Sequence, residues 1–281
     1  MTVLAALVLG ALGGLGAHRL LASTLRTPVL ERTNYRGATL STAAGLSAIL
    51  AVVLIEATAV LVESARPSAF AARLAGGPVL TIAVGFGLLG LIDDILGAGE
   101  SGGFRGHLKA LLRGRLTSGG VKLFGGAALA VVVVGRFEPG DTGRILADAA
   151  LVALAANLAN LMDRAPGRCL KVAAISFALL AGFTLVDPSL AGVGLVVGAC
   201  LVLLVDDLAE RVMIGDVGAN VVGAVLGLGA WRRLGSVIEP FLTNLTVTPS
   251  DPLLLVVTGG VLLATALVAG LVPALRARAG R

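Results

Sequence analysis

Apolar residues fill long, nearly uninterrupted stretches of this chain, and the charged residues collect between them. Runs of about 20 apolar residues are long enough to cross the ~30 Å hydrocarbon core of a bilayer as helices. The pattern predicts such helices at roughly 2–21, 42–63, 76–96, 120–136, 145–162, 170–186, 189–205, 217–231 and 253–273. The expected fold is all-α: one integral membrane domain over residues 1–281, with about nine to ten spans. The N-terminal run lacks a basic leader and is read as an uncleaved first span.

Orientation follows from arginine and lysine, which favour cytoplasmic loops. Arg26, Arg32, Arg36, Arg105, Lys109, Arg113, Arg115, Lys122, Arg164, Arg168, Lys171 and Arg211 fall at one set of span ends, with Arg276, Arg278 and Arg281 in the tail. That bias places the N-terminus outside and this set in the cytoplasm. Arg232 and Arg233 run against it. The loop after the third span is the longest on the cytoplasmic side, and its basic centre at 104–116 suits a short amphipathic helix on the lipid surface.

Composition agrees with lipid as the solvent. The chain is 57% hydrophobic and 14% charged, with a mean hydropathy of +0.97, whereas soluble domains hold about 45–50% apolar and about 25% charged residues. Its 39 glycines suit helices in close contact. The net charge of +5 reflects basic loops and requires no nucleic acid. Cys169 and Cys200 have the spacing of neither a disulfide framework nor a zinc site. His18 and His107 are too far apart in sequence to suggest a histidine metal site.

Ionisable groups in membrane segments are costly and mark candidate chemistry. Asp93 and Asp94 end the third span, where adjacent carboxylates stay ionised only beside cations. Mg²⁺ is the natural partner, because it takes one or two carboxylates plus substrate phosphates; Mn²⁺ is its substitute. Asn157, Asn160 and Asp163 end the fifth span, three residues apart and so on one side of the helix. Gly215-Asp216-Val217-Gly218 opens the eighth, where Asp216 serves equally as a helix cap or beside a metal. Lys122 begins the fourth span, able to snorkel or to hold a phosphate. Taken singly, each has a structural explanation; together they put acids from three loops on one face, with basic loops around them for a polyanion. Asp206-Asp207 is a second acidic pair near that face and is set apart from the candidate site.

In order and spacing, Asp93-Asp94, Lys122, Asn157/Asn160/Asp163 and Gly215-Asp216-Val217-Gly218 resemble the motifs of the polyprenyl-phosphate N-acetylhexosamine-1-phosphate transferases. That superfamily includes phospho-N-acetylmuramoyl-pentapeptide transferase and the WecA-type enzymes. The resemblance covers roughly residues 1–231. It implies transfer of a sugar 1-phosphate from a UDP-sugar to a polyprenyl phosphate, with Mg²⁺ required and UMP released; the basic, Ala/Gly/Leu/Val/Arg-rich composition suggests a bacterial inner membrane. By motif match, Asp94 and Asp216 would hold or position the metal, and Asp93 would deprotonate or orient the lipid phosphate. Asn160 and Asp163 would line the nucleotide-phosphate site, and Lys122 would bind phosphate. Asn157, His107, Arg164 and Arg168 complete the substrate-binding candidates. A covalent aspartyl-phosphate step stays open, as does a homodimer.

The chain departs from that pattern after Asp163. Arg164-Ala165-Pro166 stands where the family carries Gly-x-Asp, which bears on the nucleotide more than on the metal. Ala219 replaces a serine, and the family's histidine-bearing loop is not visible. Two other readings therefore stay open: a catalytically degenerate member that binds lipid-linked precursors, and a transporter that uses its acids as a proton path.

Overall fold

The computed structural model describes residues 2–34, 36–74, 77–97, 110, 113–137, 142–184 and 186–244, with 231–244 as backbone alone. The chain forms α1 (Thr2–Leu21), β1 (Glu31–Thr33), β2 (Thr39–Ser41), α2 (Gly45–Ala65), α3 (Ala69–Leu74), α4 (Gly77–Leu96) and α5 (Ser118–Phe137). It continues with α6 (Thr142–Met162), α7 (Arg168–Phe183), α8 (Ala191–Leu201), α9 (Leu204–Leu208) and α10 (Gly215–Asn244). Six helical segments among the described residues are long and apolar enough to cross a membrane: α1, α2, α4, α5, α6, and the segment Pro188–Leu208 that contains α8 and α9. The 16-residue α7 and the apolar stretch Gly215–Ala230 of α10 are shorter. Each expected span up to residue 231 coincides with one of these helices to within a few residues, although α10 continues to Asn244. The expected span at 253–273 and most of the surface helix at 104–116, His107 included, lie outside the described residues.

Large apolar side chains such as Leu4, Leu12, Leu61, Leu88 and Ile175 point outward, which suits a bundle surrounded by acyl chains and would aggregate in water. Contact between helices uses many glycines and alanines beside buried side chains such as Ile82, Val152 and Leu228, as expected where lipid removes the hydrophobic drive for helix association. α8 is buried along Ala191–Cys200 and packs most extensively on α1, with which it runs parallel. Any Cβ added at Gly10 or Gly14 of α1, or at Gly198 of α8, would meet backbone of the other helix. α10 occupies the middle of the bundle, against α6 and α4 and in lesser contact with α2, α7 and α8. Gly223 and Gly227 let it approach the backbone of α6, and Gly90 of α4 sits directly on the Asp216 carbonyl.

The all-α expectation is corrected in one place. Between α1 and α2 the chain forms a two-stranded antiparallel ribbon pairing Glu31 with Ser41, Arg32 with Leu40 and Thr33 with Thr39. Its turn is set by Asn34, whose Oδ1 accepts from the backbone N–H groups of Arg36 (2.9 Å) and Ala38 (3.0 Å), and by Gly37 at φ +83°. The ribbon continues into a bridge between Ser41 and Val212, just before α10. Asn34 Nδ2 and Arg36 both reach Glu210 and pin the turn there.

Candidate active site

Contacts between the helices bring the ends of α4 and α6 together with the starts of α5 and α10. Asp93, Lys122, Asn160, Asp163 and Asp216 consequently converge at one end of the bundle. Lys122 does not snorkel: its ammonium lies 2.6 Å from Asp93 Oδ2 and also contacts Asp216 Oδ2. With its amide oriented to satisfy both neighbours, Asn160 donates to Asp216 Oδ1 and accepts from Lys122 Nζ at 2.8 Å. One cation thus bridges two carboxylates from separate helices, and a neutral amide closes the group. The side chain of Asn157, one turn earlier, makes no hydrogen bond among the described residues.

Asp94 points elsewhere. Its carboxylate accepts from the backbone N–H groups of Asp216 (3.2 Å) and Val217 (3.0 Å) and so caps the N-terminus of α10 from another helix. The first N–H groups of a helix have no partner within it, and a carboxylate there also meets the positive end of the dipole. Both glycines of the motif have steric reasons. Gly215 adopts φ +71° against the Thr42 carbonyl, and Gly218 packs against Gly45. Asp163 accepts from the Gly215 backbone N–H. Asp207, set apart on sequence grounds, is buried and accepts from Gly167 N–H (2.8 Å) at the start of α7. Its neighbour Asp206 pairs instead with His18 (3.0 Å) and Arg211.

A narrow pocket opens beside Asp163, with Asn34, Leu40, Arg164, Pro166 and Asp207 in its wall. Arg164 makes no ion pair among the described residues. Arg168 is spent on structure, with its Nε donating to the Met162 carbonyl (2.8 Å) at the end of α6. Sequence reasoning singled out neither the capping role of Asp207 nor any role for Arg32, whose guanidinium reaches the last carbonyls of α4.

Among the described residues no three His, Cys, Asp or Glu side chains already form a metal-binding cluster. The chemistry of the donor set nevertheless suits Mg²⁺. An ionised carboxylate offers about four lone-pair positions. Asp94 uses two on backbone N–H groups, and Asp216 uses one on Lys122 and one on Asn160. Both retain capacity, and among the described residues Lys122 is the cation in direct contact with these acids.

Burial, followed by the carboxylates of Asp207, Asp216 and Asp94, pushes the Asp163 carboxyl well above its ordinary range, against the opposing Gly215 N–H. A carboxyl whose folded pKa is raised contributes its full stability only below the unfolded value of about 3.9. That contribution is lost as pH rises through the folded pKa. In metal-free detergent, thermal stability should therefore fall as pH rises above about 4. Asp163→Asn keeps an acceptor for Gly215 and carries no charge, so its melting temperature should depend less on pH. A variant profile as steep as the wild type would assign the dependence to other groups.

No protein-family model matches the chain, and no curated protein matches it.

Proposed function

We propose that this protein is a Mg²⁺-dependent membrane phosphoglycosyltransferase that moves a sugar 1-phosphate from a nucleoside-diphosphate sugar to a polyprenyl phosphate. The observation carrying this reading is the hydrogen-bonded group of Asp93, Lys122, Asn160 and Asp216, flanked by Asp94 and Asp163. Four motifs distant in sequence, each explicable alone as a helix end, meet in one place. In this reading the chain has about nine to ten spans, its N-terminus is outside, and the group faces the cytoplasm, where nucleotide sugars are made.

The reaction joins two anions. An oxygen of the lipid phosphate attacks the sugar-bearing phosphorus of the donor, the bond from that phosphorus to the bridging oxygen breaks, and the nucleoside monophosphate leaves with the electron pair. Positioning and charge compensation are the protein's main contributions to such a transfer. Asp94 and Asp216 would hold the metal, which offsets charge on the diphosphate. Lys122 supplies a fixed positive charge beside them. Asp93, held by Lys122, is placed to orient the lipid phosphate or take its proton. Asp163, Asn34 and Arg164 border the pocket for the rest of the donor, and Pro166 in its wall suits a nucleotide contact different from the family's.

The test is nucleotide release by the purified protein with undecaprenyl phosphate, Mg²⁺ and a panel of UDP-, CDP- and GDP-sugars. Release should need both lipid and metal, and Asp216→Asn should lower it by about 10²-fold or more. A second reading rests on Asp94, Asp163 and Asp207 each serving as a helix cap: a non-catalytic protein that binds lipid-linked precursors. Lipid-phosphate binding with no release from any donor would favour it.

A further inference from the structure

We infer that Arg32 is a positioning residue for the Asp93–Asp94 pair, locking the last turn of α4 in the rotation that aims Asp94 at α10 and Asp93 at Lys122. As far as catalysis is concerned, this rests on the transferase reading above.

The last carbonyls of a helix lack partners within it, and the negative end of the dipole favours a cation there. At the end of α4 the Asp93 carbonyl is taken by Gly97 N–H at 2.8 Å. The next two are taken by Arg32, whose Nη2 donates to Asp94 O at 2.5 Å and to Ile95 O at 3.2 Å. Its Nη1 donates to Glu31 O at 2.7 Å and Val29 O at 3.3 Å, on its own segment. The guanidinium therefore bolts the base of the ribbon to the helix end, and one of its acceptors belongs to Asp94 itself.

The direction of both aspartates depends on that turn. The Asp94 side chain holds two N–H groups of α10, while the next residue back meets Lys122. Rotating the turn would shift both carboxylates together relative to Asp216. A displacement of about 1 Å in a catalytic geometry can cost about 10²-fold in rate. Lysine is no substitute, because its compact ammonium cannot spread across four carbonyls as a planar fork does.

Two measurements on Arg32→Ala and Arg32→Lys in the full-length protein test this. The first is amide hydrogen exchange without substrate. The Asp216 and Val217 amides, which Asp94 protects, should exchange at least about ten-fold faster in Arg32→Ala, while the amides of α8 keep their protection. The second is nucleotide-release kinetics. Here kcat should fall about 10–100-fold with KM for both substrates nearly unchanged, and Arg32→Lys should recover little of it. Unchanged exchange at Asp216 and Val217 would overturn the proposal whatever the turnover. Faster exchange throughout the chain would also overturn it, by making Arg32 a general stabiliser, and so would a raised KM at constant kcat, by making it a substrate contact. Local loss of protection in a protein that releases no nucleotide would remove the transferase reading and leave the positioning role standing.

Discussion

Lys122→Met is expected to stop nucleotide release and to destabilise the protein, and the two effects can be separated. The ammonium bridges Asp93 and Asp216, and the three side chains are only 15–25% exposed. Removing one partner from a buried ionic group leaves the others uncompensated, at a cost of about 3–5 kcal/mol. If the transition state relies on that charge to the same extent, then at about 1.4 kcal/mol per factor of ten the rate falls by at least about 10²-fold. The double variant Lys122→Met/Asp93→Asn removes one positive and one negative charge together. It restores the net charge of the wild-type trio but leaves Asp216 without its ammonium partner, so it should regain part of the lost thermal stability, yet stay inactive, because no ammonium faces the phosphates. Recovery of both stability and nucleotide release would reduce Lys122 to a structural counter-ion. Recovery of stability alone would assign Lys122 a part in the chemistry if Asp93→Asn by itself releases nucleotide faster than the double variant.

How much of this site could be read from sequence depends on the kind of residue. An aspartate or lysine at the end of an apolar run stands out, because lipid tolerates it only for a reason. That is why Asp93, Lys122, Asn160, Asp163 and Asp216 were visible as candidates without a structure. The sequence does not show which acids hold helices and which are left for chemistry. Asp94 and Asp207 look like Asp93 and Asp206 in sequence, but Asp94 caps α10 and Asp207 caps the start of α7. Those contacts join segments 122 and 40 residues apart, and no local period encodes them. Arg32 looked like one basic loop residue among several, because its acceptors are backbone carbonyls of a distant helix. The ribbon was missed for a similar reason. Its strands are three residues each, too short to show alternation, and they are held by Asn34, Gly37 and the bridge to Val212 rather than by an apolar face. The helices themselves were legible, since in lipid every backbone group must find its partner within the helix.

Glycine abundance was also legible, but the partner of each glycine was not, and the second large prediction rests on one of them. Gly198→Leu is expected to displace α1 from α8 and to disable the site from a distance. A Cβ at Gly198 would press on the Leu7 carbonyl of α1 and stand 3.1 Å from Ala11 N. Gly10 and Gly14 make the reciprocal approaches toward Leu195 and Ala199. Backbone cannot swing aside as a side chain can, so the cost should exceed the ~1–3 kcal/mol usual for an overpacked core. Moving α1 also carries His18 away from Asp206 (3.0 Å), the neighbour of the Asp207 that holds the start of α7. The control lies on α1 itself: nothing stands within 4 Å of a Cβ added at Gly16, so Gly16→Leu should leave the thermal melt and the detergent elution profile nearly unchanged. Gly198→Leu should melt well below wild type or elute as aggregate. If both variants behave like wild type, α1 and α8 are not in backbone contact and the bundle is held by side chains. If Gly198→Leu alone fails, the close approach of the two helices is a condition for folding the bundle that carries the site.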